Sequence, residues 1–158
     1  MSFVLRLAGM SDLPAVLSLY AQLSPGDQLP DPAEAEATWK RILDSEMMSV
    51  HVGICDDALI ATCVLVVVPN LTRKQRPFAL IENVVSDTRF RGRGFGKRVV
   101  RAAIDHAWAT GCYKVMLMTG RTDPAVLAFY RACGFTSDKT AFQIRRPLAE
   151  QGNAHPPR

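Results

Sequence analysis

Two hydrophobic periods divide the chain: alternating or continuous apolar runs that suit strands, and apolar positions recurring every three or four residues that suit helices. Phe3 to Ala8 alternates as a strand, and Ser11 then offers an N-cap to a helix carrying Leu13, Val16, Leu17, Tyr20 and Leu23 on one stripe. Ser24-Pro25-Gly26-Asp27 stops it. A second helix is expected from Asp31 or Pro32 to about Glu46, with Pro32 in its first turn and Trp39, Ile42 and Leu43 on one face. The Pro/Gly-rich loop between these helices reads as a substrate lid.

Ser49 to Cys55 and Ala58 to Val68 read as strands joined at Asp56-Asp57. A third, Phe78 to Ser86, follows the basic hairpin Pro69 to Pro77, completing an antiparallel meander. The helical pattern from Arg93 to Thr110 buries Phe95, Val99, Val100, Ala103, Ile104, Ala107 and Trp108, and Gly111 ends it at a favoured C′ position. Tyr113 to Thr119 is a strand; Asp123-Pro124 caps and starts a helix bearing Leu127, Phe129 and Tyr130 up to Gly134; Thr140 to Arg146 is a last strand. Strand, helix and strand around the Arg91 to Lys97 segment imply one parallel pair in an otherwise antiparallel sheet, an α/β layout. No repeat is present, so residues 1–149 form one domain, and the tail of 150–158, without an apolar face, is expected to be disordered.

Composition narrows the class. With 158 residues, 48% of them hydrophobic, the chain can bury its own core without a disulfide framework. Its longest apolar run, Leu59 to Val68, is too short to span a bilayer, and the N-terminus lacks a signal-peptide layout, so a cytoplasmic location without membrane attachment is expected. Cys55, Cys63, Cys112 and Cys133 have no metal or redox spacing and fall within apolar patterns, which suits buried reduced thiols. His51, His106 and His155 are scattered and suggest no metal site. The net charge is +4, but the basic residues form no stripe with interleaved aromatics, so no nucleic-acid partner is expected.

Part of that charge is concentrated in Arg91-Gly92-Arg93-Gly94-Phe95-Gly96-Lys97, which follows a strand and opens a helix. Glycines there permit a tight turn and close backbone approach, and the free N–H groups of the helix start favour an anion, so the segment reads as a phosphate cradle. Its spacing misses both the dinucleotide G-x-G-x-x-G pattern and a Walker A loop. The pattern that fits is Arg-x-x-Gly-x-Gly at Arg91, Gly94 and Gly96, which resembles the acyl-CoA pyrophosphate loop of the GNAT superfamily of N-acetyltransferases. Ile81 to Asp87 resembles that family's fourth strand, and Ala128 to Phe135 its FY-x-x-x-GF signature. The words Ile-Glu-Asn-Val-Val, Gly-Cys-Tyr-Lys and Phe-Tyr…Cys-Gly-Phe look most similar to the glucosamine-phosphate acetyltransferase type.

The resemblance implies a GNAT fold: a mixed, mostly antiparallel sheet of six to seven strands with a splayed central parallel pair and about four flanking helices. It implies acetyl-CoA as co-substrate, held by Val84, Val85, Ser86 and the loop residues Arg91, Gly92, Arg93, Gly94, Phe95, Gly96 and Lys97. It further implies that the Val84 N–H faces the acetyl carbonyl and that Ser86 meets the pantetheine arm through its backbone, although relatives usually have an apolar residue at the Ser86 position. Tyr130 matches the tyrosine that protonates or hydrogen-bonds the leaving sulfur, and its phenol suits a general acid; the competing role is core packing. Glu82 is the candidate base, with partial burial expected to raise its pKa, while Asn83 should face the other way by alternation. Asp123 stands where relatives often have an Asn that contacts CoA, which leaves it as a helix cap. The expected function is direct acetyl transfer to a primary amine of a small molecule in a ternary complex, with homodimerisation through the last strand. Alternatives are a CoA-binding sensor without turnover, or transfer to a protein or peptide amine.

Overall fold

The computed structural model describes residues 2–146. Five strands lie in sequence order: β1 (Phe3–Leu7), β2 (Met48–Cys55), β3 (Ala58–Val68), β4 (Phe78–Ser86) and β5 (Val115–Met116). The first three pairings are antiparallel and the β4–β5 pairing is parallel. The helices are α1 (Leu13–Leu23), α2 (Pro32–Leu43), the short α3 (Thr72–Gln75), α4 (Phe95–Ala109) and α5 (Pro124–Ala132). Helices α1 and α2 cover one face, burying Leu13, Val16 and Trp39 against Val50, Val52 and Val64. On the other face α4 lays Val99, Val100, Ala103 and Ala107 on Ala61, Cys63, Leu65 and Ile81, with Phe129 of α5 packed against them.

Local chemistry explains most boundaries. Asp56 and Asp57 both have positive φ, the backbone hand that matches strand twist in a two-residue hairpin. Gly111 (φ 82) ends α4: its N–H is donated to Trp108 O and that of Cys112 to Ala107 O, a Schellman closure. Gly53 is required for packing, because a Cβ there would lie 2.7 Å from Phe3 Cζ and 2.8 Å from Val99 Cγ2. The basic hairpin turns through left-handed Arg73, Lys74 and Gln75.

Several expectations are corrected. Ser11 does not cap α1; a single 3₁₀ turn, Met10–Asp12, precedes it, and the Asp12 carboxylate accepts from Gly9 N (2.7 Å) and pairs with Arg6 (2.6 Å). Helix α2 stops at Leu43 instead of Glu46, where Asp44 serves as C-cap. Trp108 is half exposed, at the edge of the α4 stripe. Among the described residues the sheet has five strands, not six or seven: β5 keeps only two residues of Tyr113 to Thr119, and Thr140 to Arg146 forms no strand. A strand needs an edge with free N–H and C=O groups to pair with, and β5 is too short to supply one. The expected disordered tail of 150–158 lies outside the described residues.

One partly buried polar cluster joins β2 to α4. His51 Nε2 lies 3.1 Å from His106 Nδ1, and Ser49 Oγ lies 3.2 Å from the first and 3.4 Å from the second. Burial, with the nearby His106, lowers the His51 pKa to about 4 from 6.5. Between these values the unfolded chain binds a proton that the folded chain refuses, so stability falls as pH drops from 6.5 towards 4. The loss is on the order of 3 kcal/mol. Asp12 and Asp87 have lowered pKa values and lose their contributions only at more acid pH. Urea unfolding at steps between pH 7 and 4 should therefore show a decline that His51→Gln flattens; an unchanged slope in the variant would assign the decline elsewhere.

Candidate active site

The site begins where two strands part. Strand β4 meets β5 only at Ala79↔Val115 and Leu80↔Met116, and from Ile81 to Ser86 its outer edge has no strand beside it among the described residues. The Asp87 N–H is donated across to Ile60 O (2.8 Å), so alternation turns the N–H groups of Ser86 and Val84 towards the gap. The result is a cleft of about 1030 Å³ between β4 on one bank and residues 117–121 with α5 on the other.

A bulge sets which side chains enter it. Val64 stands opposite Glu82 and Thr62 opposite Val85, so two β4 residues, Asn83 and Val84, oppose the single Cys63. Asn83 takes up the extra residue with φ 52. The alternation flips there: Val84 packs towards the α4 side, whereas Glu82 and Asn83 are both exposed and both line the cleft. The Asn83 side chain also lies near the Tyr20 phenol of α1, whose pKa burial raises and Asn83 partly lowers. Asn83 therefore does not face away, because one inserted residue reverses the period-2 rule. Glu82 is solvent-exposed in the cleft, contrary to its expected partial burial.

The glycine turn forms the cleft's other end. Gly92 (φ 76) and Gly94 (φ 81) adopt the left-handed conformation, and Gly94 is the N-cap of α4, which presents its first N–H groups there. Gly96 has an ordinary φ but no room, since an added Cβ would collide with Ser86 Oγ. The Ser86 side chain touches the start of α4, where a larger group would push the helix away from the strand. Arg91 Nε donates to Ser86 O (3.3 Å), tying the turn to β4. Phe95 and Lys97 also line the cleft, whereas Arg93 and Arg98 do not. Arg93 lies over the Phe90 ring (5.7 Å) and Arg98 over the Phe3 ring (4.1 Å).

Of the expected site residues, then, Glu82, Val84, Val85, Ser86, Arg91, Gly92, Gly94, Phe95, Gly96, Lys97 and Tyr130 come together, and Arg93 stays outside. Tyr130 stands on α5 across from β4, with ring centroids 5.1 Å from Phe129 and 6.3 Å from Phe135. Burial raises the pKa of its phenol, aided by Cys133, while Arg121 opposes the shift. The phenol therefore keeps its proton at neutral pH. Asp123 accepts from Ala125 N (2.8 Å), the helix-cap role expected, and also lines the cleft. All four cysteines are free and buried, and burial pushes the Cys63 thiol up to about 12. None lines the cleft.

Arg121 and Gln22 were not singled out by sequence. Arg121 lines the cleft and its Nη2 donates to Leu23 O (2.9 Å); Gln22 Oε1 accepts from Thr88 N (2.9 Å). The last turn of α1 thereby touches both banks. Its partners lie 98 and 66 residues away, and no local pattern signals such contacts.

The chain is similar to known proteins in sequence and in fold. A putative acetyltransferase from Agrobacterium tumefaciens str. C58 superposes with TM-score 0.88 at 50% identity, over 90% of this chain and 99% of that one. Glucosamine 6-phosphate N-acetyltransferase of Trypanosoma brucei brucei is 27% identical over 140 residues, 89% of this chain and 93% of that protein. Glucosamine 6-phosphate N-acetyltransferase 1 of Oryza sativa subsp. japonica is 47% identical over 55 residues, 35% of this chain but only 32% of its own length. Residues 13–135 match the profile of the acetyltransferase (GNAT) family, and the chain belongs to that family.

Proposed function

We propose that the protein is an N-acetyltransferase that passes the acetyl group of acetyl-CoA directly to a primary amine of a small molecule in a ternary complex. The observation that carries this reading is the convergence of an unpaired β4 edge and a glycine turn at a helix start on one cleft. An extended amide-bearing chain can pair with the first, and a pyrophosphate suits the second. Acetyl-CoA supplies an acyl group activated as a thioester. Arg91, Lys97 and the first turn of α4 would hold its phosphates, and the Val84 N–H would polarise the carbonyl.

Glu82 would take the amine proton, directly or through water, since its exposed carboxylate faces the cleft at the bulge. Tyr130 would deliver a proton to the departing sulfur from the opposite bank. An acceptor of the amino-sugar phosphate class is the first choice, because the rice and trypanosome relatives are named for glucosamine 6-phosphate. Four buried free thiols suit the reducing cytoplasm.

The protein also acts as a homodimer in this reading, with Thr140 to Arg146 pairing with a second copy. Phe142 and Ile144, alternate residues of that segment, are 90% and 97% exposed, which a strand completed by a partner would correct.

Two measurements check these statements. Thiol release from acetyl-CoA over a panel of amines that includes glucosamine 6-phosphate should find an acceptor, and Tyr130→Phe should lower that rate roughly 10- to 100-fold with an unchanged melting midpoint. CoA binding without thiol release would instead mark a sensor, and a fully active Tyr130→Phe would leave Tyr130 a packing residue. Light scattering at micromolar concentration should give about twice the 17.4 kDa chain mass; a value near 17.4 kDa would contradict the dimer.

A further inference from the structure

We propose that Arg121 is a further functional residue of the cleft: a cation, fixed by the last turn of α1, that stabilises the negative charge shared between the leaving sulfur and the Tyr130 phenol. This rests on the acetyltransferase reading above.

Arg121 stands in the segment between β5 and α5, and it lines the cleft together with Tyr130 and Glu82. Its Nη2 is donated to Leu23 O at 2.9 Å, and its backbone N–H to Thr119 Oγ1 at 3.2 Å. Leu23 closes α1, where the carbonyls lack helical partners and carry partial negative charge, so the guanidinium is both hydrogen-bonded and electrostatically favoured there. Gln22, the residue before, holds the opposite bank through Thr88 N. The head group is therefore anchored to an element braced on both sides of the gap. Among the described residues no carboxylate forms a salt bridge with Arg121, which leaves its charge available to the cleft.

Of the charged groups that act on the Tyr130 phenol, Glu82 opposes its ionisation and Arg121 favours it, while the buried thiols of Cys63 and Cys133, with raised pKa values, stay neutral. Arg121 is the one cation in that set. In acetyl transfer the amine nitrogen forms a bond to the thioester carbon and the carbon–sulfur bond breaks, with its electron pair leaving on sulfur. The amine proton goes to Glu82 or its water, and the sulfur takes the phenol proton. Negative charge thus moves between sulfur and phenol oxygen, and a cation already oriented by Leu23 O stabilises either form without reorganising.

The test compares wild-type protein with Arg121→Gln, which keeps a donor for Leu23 O and loses the charge, and with Arg121→Lys, which keeps the charge. Arg131→Met on α5 controls for overall charge. The ionisation of the thiol of bound CoA, followed by thiolate ultraviolet absorbance, needs no turnover. Arg121→Gln should raise that pKa by about one unit, whereas Arg121→Lys and Arg131→Met should leave it near wild type. Acetylation kinetics should show kcat lowered about 10-fold in Arg121→Gln, with KM for acetyl-CoA little changed. A thiol titration in Arg121→Gln identical to wild type, at an unchanged melting midpoint, would overturn the proposal. If Arg121→Gln lowers the midpoint, Arg121→Lys decides: a thiol pKa near wild type supports the proposal, and a rise like that of Arg121→Gln overturns it. Wild-type protein that acetylates no amine would sink the acetyltransferase reading alone, since the thiol titration still reports where the charge lies.

Discussion

The separation of β4 from β5 after two paired residues is the constraint on which the rest of the cleft depends. Backbone N–H and C=O groups left without a strand must find partners in solvent or in a ligand, and burying them unpaired would cost free energy comparable to a lost hydrogen bond each. Here the divergence is forced from both sides. Asn83 inserts a residue into β4 and bends it, while the chain after Met116 leaves the sheet for α5. The same bulge turns Glu82 and Asn83 into the gap together. A single left-handed residue therefore connects sheet geometry to the chemistry proposed for the site.

The second determinant is the close approach of α4 to the end of β4. Gly96 against Ser86 sets that distance, and the left-handed Gly92 and Gly94 bring the chain round so that the start of α4 faces the same opening. Only part of the local positive charge serves it. Arg91 and Lys97 line the cleft, whereas Arg93 and Arg98 are spent on aromatic faces, where a cation over a ring is typically worth about 0.5–1 kcal/mol when exposed.

Much of this was legible in the sequence because it is local. Hydrophobic period located the meander, α1, α4 and α5; Gly111 and Asp123 marked helix ends; and the loop glycines marked the turn. What was not legible depends on contacts between distant residues. Alternation placed Asn83 on the wrong face, since a bulge is a two-strand feature that one strand's pattern does not contain. Thr140 to Arg146 has the pattern of a strand but forms none among the described residues. Arg93 looked equivalent to its neighbours by charge, yet the helix start turns it towards Phe90. The bracing of the two banks by Gln22 and Arg121 spans the chain and has no local signature.

The claim that the unpaired β4 edge receives the acyl donor is tested most directly by amide hydrogen exchange in the presence and absence of acetyl-CoA. The N–H groups of Val84 and Ser86 face the gap and should exchange readily in the free protein, then slow markedly when an amide-bearing chain pairs with them. Peptides covering β1 and β2 should show no comparable change. Unchanged exchange over Ile81 to Ser86 at saturating acetyl-CoA would contradict it, whatever the affinity measured for the ligand.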